Sequence, residues 1–342
     1  MHMADALLSP VVGGVFWVTS AGLIGYAAKK INQEQDMAKT PLMGVMGAFI
    51  FAAQMINFAI PGTGSSGHIG GGLLLTAVLG PWRAFITLAS VLVVQCLFFA
   101  DGGLLALGCN IFNLAFFPAF IAYPFIFRKI AGNGARLPLL AVGSITASVA
   151  GLELGAFSVV IQTILSGNSD LPFGSFAAFM LPIHLAIGIV EGVVTWAVLS
   201  FVLRVQPSLM SGNETRRVAR PLPVLFVLSA LVIGGILAYI ASEDPDGLEW
   251  SISKTTGTEE ISRQHTGVAA VLEKLQGRLS FLPDYGFKQQ EAHQDKADSS
   301  GMKLQVFGTS VAGITGSMIV LALALGFGLL LRNRRTSGDN RI

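Results

Sequence analysis

Charge is what this chain has least of: 12% of its 342 residues are Asp, Glu, Lys or Arg, against 52% hydrophobic residues. With a mean hydropathy of +0.66, there is too little polar surface to clothe a soluble globule of this size, and a polytopic membrane protein is the class that remains. Cysteine is nearly missing too. The two that occur, Cys96 and Cys109, sit in apolar runs, which excludes a disulfide framework or a thiolate metal cluster and leaves two small hydrophobes. No Gly-x-x-x-x-Gly-Lys-Ser/Thr loop is present, so the chain does not hydrolyse ATP itself. A His-Glu-x-x-His pair is also missing, and with it the mark of a zinc hydrolase. The first apolar run has neither a basic leader nor a small-residue cleavage pattern; the terminus is expected to be uncleaved, with Met1 carrying a free amine.

What is present is a series of apolar runs near the roughly 20 residues that a membrane span requires. They cover 11–28, 41–60, 83–100, 104–127, 137–165, 176–205, 222–241 and 309–331, with a shorter run at 69–79. The expected fold is all-α: a seven-helix membrane bundle over residues 1–210, then two further transmembrane helices in residues 211–342 flanking a hydrophilic segment, 242–306. That segment holds 11 of the 20 acidic residues. The segments 29–40, around 83, 128–136, 204–220 and 332–342 carry 15 of the 22 lysines and arginines, Arg216 and Arg217 among them. The positive-inside rule therefore puts them in the cytoplasm, with the N-terminus and 242–306 outside and the C-terminus inside.

This topology brings two distant stretches to one face. The terminal amine of Met1, the Met1-His2 amide nitrogen and the His2 imidazole can close two fused chelate rings on one metal ion, leaving a position for a second imidazole such as His68. Four nitrogens in a plane suit Ni(II) or Cu(II). His68 ends a glycine-rich loop, Pro61-Gly-Thr-Gly-Ser-Ser-Gly-His68, whose glycines permit the positive φ of a tight turn; the competing reading of these glycines is close helix packing. Asn57, Gln95 and Asn110 fall near the outer helix ends, either bonding the His2 or His68 ring or joining helices to one another. His184 and Glu191, seven residues apart on one helix face, and Glu153 on the preceding helix read as interhelical hydrogen-bond partners, the rival being an intramembrane metalloenzyme. Gly143, Ala147, Gly151 and Gly155 leave one helix face smooth for packing, against either an internal or an external neighbour. His265 and His293 read as solvated loop residues.

Several motifs carry a resemblance. Met1-His-Met-Ala-Asp-Ala-Leu-Leu-Ser-Pro10, Phe51-Ala-Ala-Gln-Met-Ile-Asn-Phe58, Gly67-His68 and Asp101-Gly-Gly-Leu-Leu-Ala-Leu-Gly108 resemble the CbiM/NikM family, the substrate-capture (S) components of energy-coupling-factor (ECF) transporters for cobalt and nickel. The resemblance implies a square-planar site from Met1, His2 and His68. It also implies an ABC-type importer component that takes Ni(II) at the outer face of a bacterial or archaeal cell membrane, or Co(II) for cobalamin synthesis. A transmembrane coupling subunit and ATP-binding subunits are the implied partners; no enzymatic activity, organic cofactor or nucleic acid is expected. Family members often begin Met-His-Ile-Pro-Asp-Gly, whereas Met3, Ala4 and Ala6 stand here, so the turn after the chelate is expected to be held differently. Asp244-Pro245-Asp246-Gly247-Leu248-Glu249, followed by Trp250, and Pro283-Asp-Tyr-Gly286 resemble the NikN partner fused to the same chain, which favours nickel. By its chemistry alone the former is a turn.

Overall fold

The computed structural model describes residues 1–34, 39–132, 136–168, 171–210, 218–258, 267–287 and 307–326. His265, His293, Arg216, Arg217 and the 332–342 tail lie outside these. Helix α1 (Pro10–Gln33) starts where Pro10 needs no N–H partner and the Ser9 hydroxyl accepts from Val12 N. Helix α2 (Thr40–Gln54) leads to a hairpin of β1 (Phe58–Ile60) and β2 (Ser65–Gly67), in the register Phe58↔Gly67. Then come α3 (Gly72–Leu79), α4 (Pro81–Phe99), α5 (Leu107–Ala131), α6 (Leu137–Ser166), α7 (Phe173–Val205), α8 (Pro221–Gly235), α9 (Gly247–Thr256), α10 (Val268–Leu279) and α11 (Phe307–Gly326). Most of α5, Phe112–Phe127, winds as a π-helix containing Pro118 and Pro124.

Six of these helices, α1, α4, α5, α6, α7 and α11, are apolar and long enough to cross a bilayer, which makes the protein a multi-pass, mostly helical membrane protein. The expected seven-plus-two count needs correction in detail. Helices α2 and α8 have 15 residues each, about 22 Å at 1.5 Å per residue and short of a hydrocarbon core of about 30 Å. The second apolar run does not stay helical to Ile60; Pro61 and the positive φ of Gly62 (79°) and Gly64 (70°) turn Phe58–Ile60 back as a strand. Helix α3 has eight residues, all buried. The hydrophilic segment holds two helices, α9 and α10, that the apolar pattern did not reveal.

Small residues set the packing. The smooth face of α6 meets α5 inside the same chain: a Cβ on Gly143 would lie 2.9 Å from Ala131 Cβ, and one on Gly155 2.7 Å from Asn113 O. Helix α11 packs on α2 and α8, where a Cβ on Gly316 would strike the Phe51 ring and one on Gly313 would sit 2.3 Å from Gly234 O. The result gathers the N-terminus, the hairpin, the turn between α4 and α5, and the start of α9 at one end of the bundle.

Candidate metal centre

The first eight residues are threaded into the protein. Met1 is 5% exposed and Met3 fully buried. Asn110 holds Met3 on both sides, accepting from its N–H at 2.8 Å and donating to its carbonyl at 3.2 Å, while Gly103 N also donates to Met3 O. Asp5 Oδ1 accepts from Ala106 N at 3.0 Å. These contacts, with a single 3-10 turn over Asp5–Leu7, hold the turn in which Met3, Ala4 and Ala6 differ from the Ile, Pro and Gly of the resembling sequences.

Threading the terminus this way brings the two histidines together. The rings of His2 and His68 lie 5.3 Å apart, centroid to centroid, with planes 12° from parallel. Metal–nitrogen bonds of about 2 Å put two cis imidazole centroids on one ion about 4.4 Å apart, so the two rings stand within about 1 Å of the spacing of a shared square-planar ion. The Met1 ammonium donates to Asp246 Oδ2 at 2.6 Å. His2 Nδ1 lies 3.0 Å from Asp101 Oδ1, and Tyr285 OH donates to the other oxygen of Asp101 at 2.5 Å. His2 Nε2 is buried and has no hydrogen-bond partner among the described residues, while His68 Nδ1 lies 3.2 Å from Ile69 O.

The electrostatics follow from this crowding. Burial lowers the His68 pKa to about 4, helped by the positive terminus and by His2. For Asp101 burial pushes upward, but the charge and hydrogen bond of His2 and the Tyr285 hydroxyl outweigh it and bring the carboxyl to about 2. Asp246 is likewise opposed by burial and held well below the carboxylate range by the Met1 ammonium. The same two effects, burial and the Asp101 charge, push the Tyr285 hydroxyl well up, so it stays a donor.

The loop carrying His68 is clamped from below. Glu191 on α7 accepts from Gly70 N at 2.7 Å and Gly71 N at 3.2 Å, Gln54 donates to Gly70 O, and Gln95 donates to Gln54. Gly71 sits at φ 74°, so the clamp grips a conformation that glycine alone adopts readily. Glu191→Ala leaves two buried N–H groups unpaired, at about 1–3 kcal/mol each. Metal affinity is expected to fall about 10- to 100-fold, as when support behind a ligand is lost; calorimetric titration at unchanged folded yield checks it.

Sequence reasoning therefore placed Met1, His2 and His68 together but missed Asp101, Asp246 and Tyr285. All three stood inside quoted motifs, 99 or more residues from their partners. Of the three residues read either as ring supports or as links between helices, none bonds an imidazole among the described residues: Asn110 holds Met3, Gln95 of α4 links to Gln54 of α2 in keeping with the second reading, and Asn57 accepts from Ser242 N with its carbonyl. Asp101 does what was asked of them. The interhelical role read for His184, Glu191 and Glu153 also changes: His184 Nδ1 bonds Met180 O of its own helix, Glu191 bonds the loop, and Glu153 Oε1 has no hydrogen-bond partner among the described residues. Among the described residues no three His, Cys, Asp or Glu side chains form a metal-binding group.

The segment Asp244–Glu249 is more than a turn. Asp246 caps α9 in a capping box with Glu249. Pro245 O accepts from Ser66 N at 2.8 Å, Asp244 O from the Ser66 hydroxyl at 2.7 Å, and Thr63 O from Trp250 Nε1 at 3.0 Å. It lies along the hairpin that presents His68.

Comparison with known proteins decides the family. The model of CbiM, described as the cobalt uptake substrate-specific transmembrane region, matches residues 2–209. The chain belongs to the CbiM family. A PDGLE domain model matches residues 220–333 beyond it. A protein of Archaeoglobus fulgidus described as a fused nickel transport protein, NikMN, is 30% identical over 333 residues, covering 96% of this chain and 98% of that protein. LarMN of Lactiplantibacillus plantarum, described as a fused nickel transport protein, is 32% identical over 336 residues, 95% and 97% of the two chains. A crystal structure of a truncated transition metal transporter is 32% identical, with a TM-score of 0.51, covering 60% of this chain and 99% of that one. This CbiM member is thus a nickel/cobalt transport component of the CbiM/NikM type with a NikN-like part fused to it, and a transport protein instead of an enzyme.

Proposed function

We propose that this protein captures Ni(II), in preference to Co(II), at the outer membrane face through the Met1 amine, the Met1-His2 amide nitrogen, the His2 ring and His68. The observation that carries the reading is the convergence of a buried terminal amine, a buried His2 and a neutral His68 at one end of the bundle. The six-membered ring from the amide nitrogen through the His2 side chain closes on Nδ1, so ligation exchanges the bond to Asp101 for one to the metal, and the amine likewise leaves Asp246. An ion that displaces an amide proton with fixed nitrogen neighbours fits Ni(II) chemistry. The nickel names of the fused relatives support the same preference.

The reading divides the chain into a metal-binding domain, 1–210, and a NikN-like part, 211–342. Inward delivery is driven by an ECF coupling subunit and ATP-binding subunits, since this chain has no nucleotide loop of its own. Uptake of radioactive nickel by cells with and without those ATPases tests it; uptake that does not need them overturns the coupling, and unlabelled cobalt competing as well as nickel overturns the preference.

Orientation is tested separately. An impermeant thiol reagent applied to whole cells is expected to label a cysteine at Thr258, beyond α9, and to leave one at Asn32, at the end of α1, untouched. Labelling of Asn32 alone reverses the topology.

A further inference from the structure

Above His2 and His68 lies a chamber of about 410 Å³ between the CbiM-like helices and the NikN-like part. Six carboxylates line it: Asp101, Glu243, Asp244, Asp246, Glu249 and Asp284. No lysine or arginine lines it among the described residues. Asp101 and Asp246 are engaged by His2 and the terminal amine; the other four carboxylates come from the NikN-like part and add negative charge beyond what the site itself uses.

A second observation ties the chamber to a cation. Both imidazoles of the proposed nitrogen site, His2 and His68, form part of its wall, the His2 side chain being 6% exposed with Nε2 unpartnered among the described residues, so an ion held in the chamber is already beside the metal donors. Scale adds a third. A divalent ion with six waters, at about 30 Å³ each, occupies about 180 Å³, so the chamber admits it fully hydrated. A neighbouring cavity, walled by Met1, His68, His184 and Asp246 among others but not by His2, is about 10 Å³, the space of a single water, so a hydrated ion fits in the chamber and not there.

We propose that this chamber is a collecting site for hydrated divalent transition-metal cations, built by the NikN-like part to raise the rate at which ions reach the nitrogen site. The inference rests on the proposed nitrogen site and gives the fused part a role in capture, because it brings charge to the mouth without supplying ligands. Clefts lined by one sign of charge raise on-rates about 10- to 1000-fold, and salt removes the gain.

The test measures Ni(II) association and dissociation by stopped-flow with the full chain in nanodiscs of neutral lipid, at low and high ionic strength. The double variant Glu243→Gln/Asp244→Asn keeps the Asp244 and Pro245 carbonyls that bond Ser66, and the structure gives Glu243 no part in the nitrogen site. Its on-rate is expected to fall about tenfold at low ionic strength, with a flatter salt dependence and an unchanged off-rate. The reversal Glu243→Lys is expected to slow association further. An on-rate and salt slope equal to the parent's in both variants overturns the proposal, as does a change confined to the off-rate, which would make these residues ligands. Failure of the underlying site has a different signature: the parent then binds nickel with no loss in His68→Ala.

Discussion

One residue added before Met1 abolishes nickel binding and transport, while a tag placed after Ile342 leaves both intact. The extension turns the Met1 nitrogen from an amine with a usable lone pair into a planar amide, and it removes the five-membered chelate ring that begins there. It also has nowhere to go. Met1 is 5% exposed, its ammonium is held at 2.6 Å by Asp246, and its side chain lies where a Cβ on Gly155 would come within 3.2 Å of it. An added residue must pull the terminus out and so separate His2 from His68, or leave the buried Asp246 carboxylate without its ammonium, which costs several kcal/mol. Titration of a protein whose uncleaved extension is confirmed by mass spectrometry reads the result; full binding there means the terminal amine is not a ligand.

Which parts of this arrangement were legible beforehand follows from the range of each interaction. The apolar runs report burial in lipid directly, so every helix from α1 to α8 and α11 had its signal in the chain. Helix ends inside such a run do not: Phe58–Ile60 is as apolar as a helix, and only the need to turn at Pro61–Gly64 makes it a strand. Helices α9 and α10 escaped because a hydrophilic segment gives no membrane-length pattern. The meeting of His2 and His68 was readable because topology alone returns both to one face. Asp101 and Asp246 were not: Asp101 meets His2 across 99 residues of helix packing, Asp246 meets an amine 245 residues away through the NikN-like part, and no local period encodes either. Asn110 shows the opposite error. Its place near the ring was right, but its amide matches the two-sided demand of the Met3 backbone better than a single imidazole nitrogen.

His68→Ala weakens nickel binding by more than about 100-fold, beyond the range of losses seen when only the support behind a ligand is removed. The variant folds, because among the described residues His68 makes no side-chain hydrogen bond beyond the contact to the neighbouring Ile69 carbonyl, and Glu191 and Gln54 still hold the loop through Gly70 and Gly71. The pH dependence distinguishes a buried ligand from a solvated one. A proton competes with the metal for the same lone pair, so affinity falls as pH drops toward the ring's pKa. An ordinary imidazole near 6.5 loses about thirtyfold at pH 5. Burial, then the positive terminus and His2, lower His68 to about 4, so its ring stays neutral through that range, and Asp101, at about 2, stays charged with it. The ratio of dissociation constants, variant to parent, is therefore expected to hold constant from pH 7.5 to 5 and to shrink only as pH nears 4. A ratio that collapses between pH 7 and 5.5 would place His68 in water, and equal affinities at neutral pH would remove it from the site.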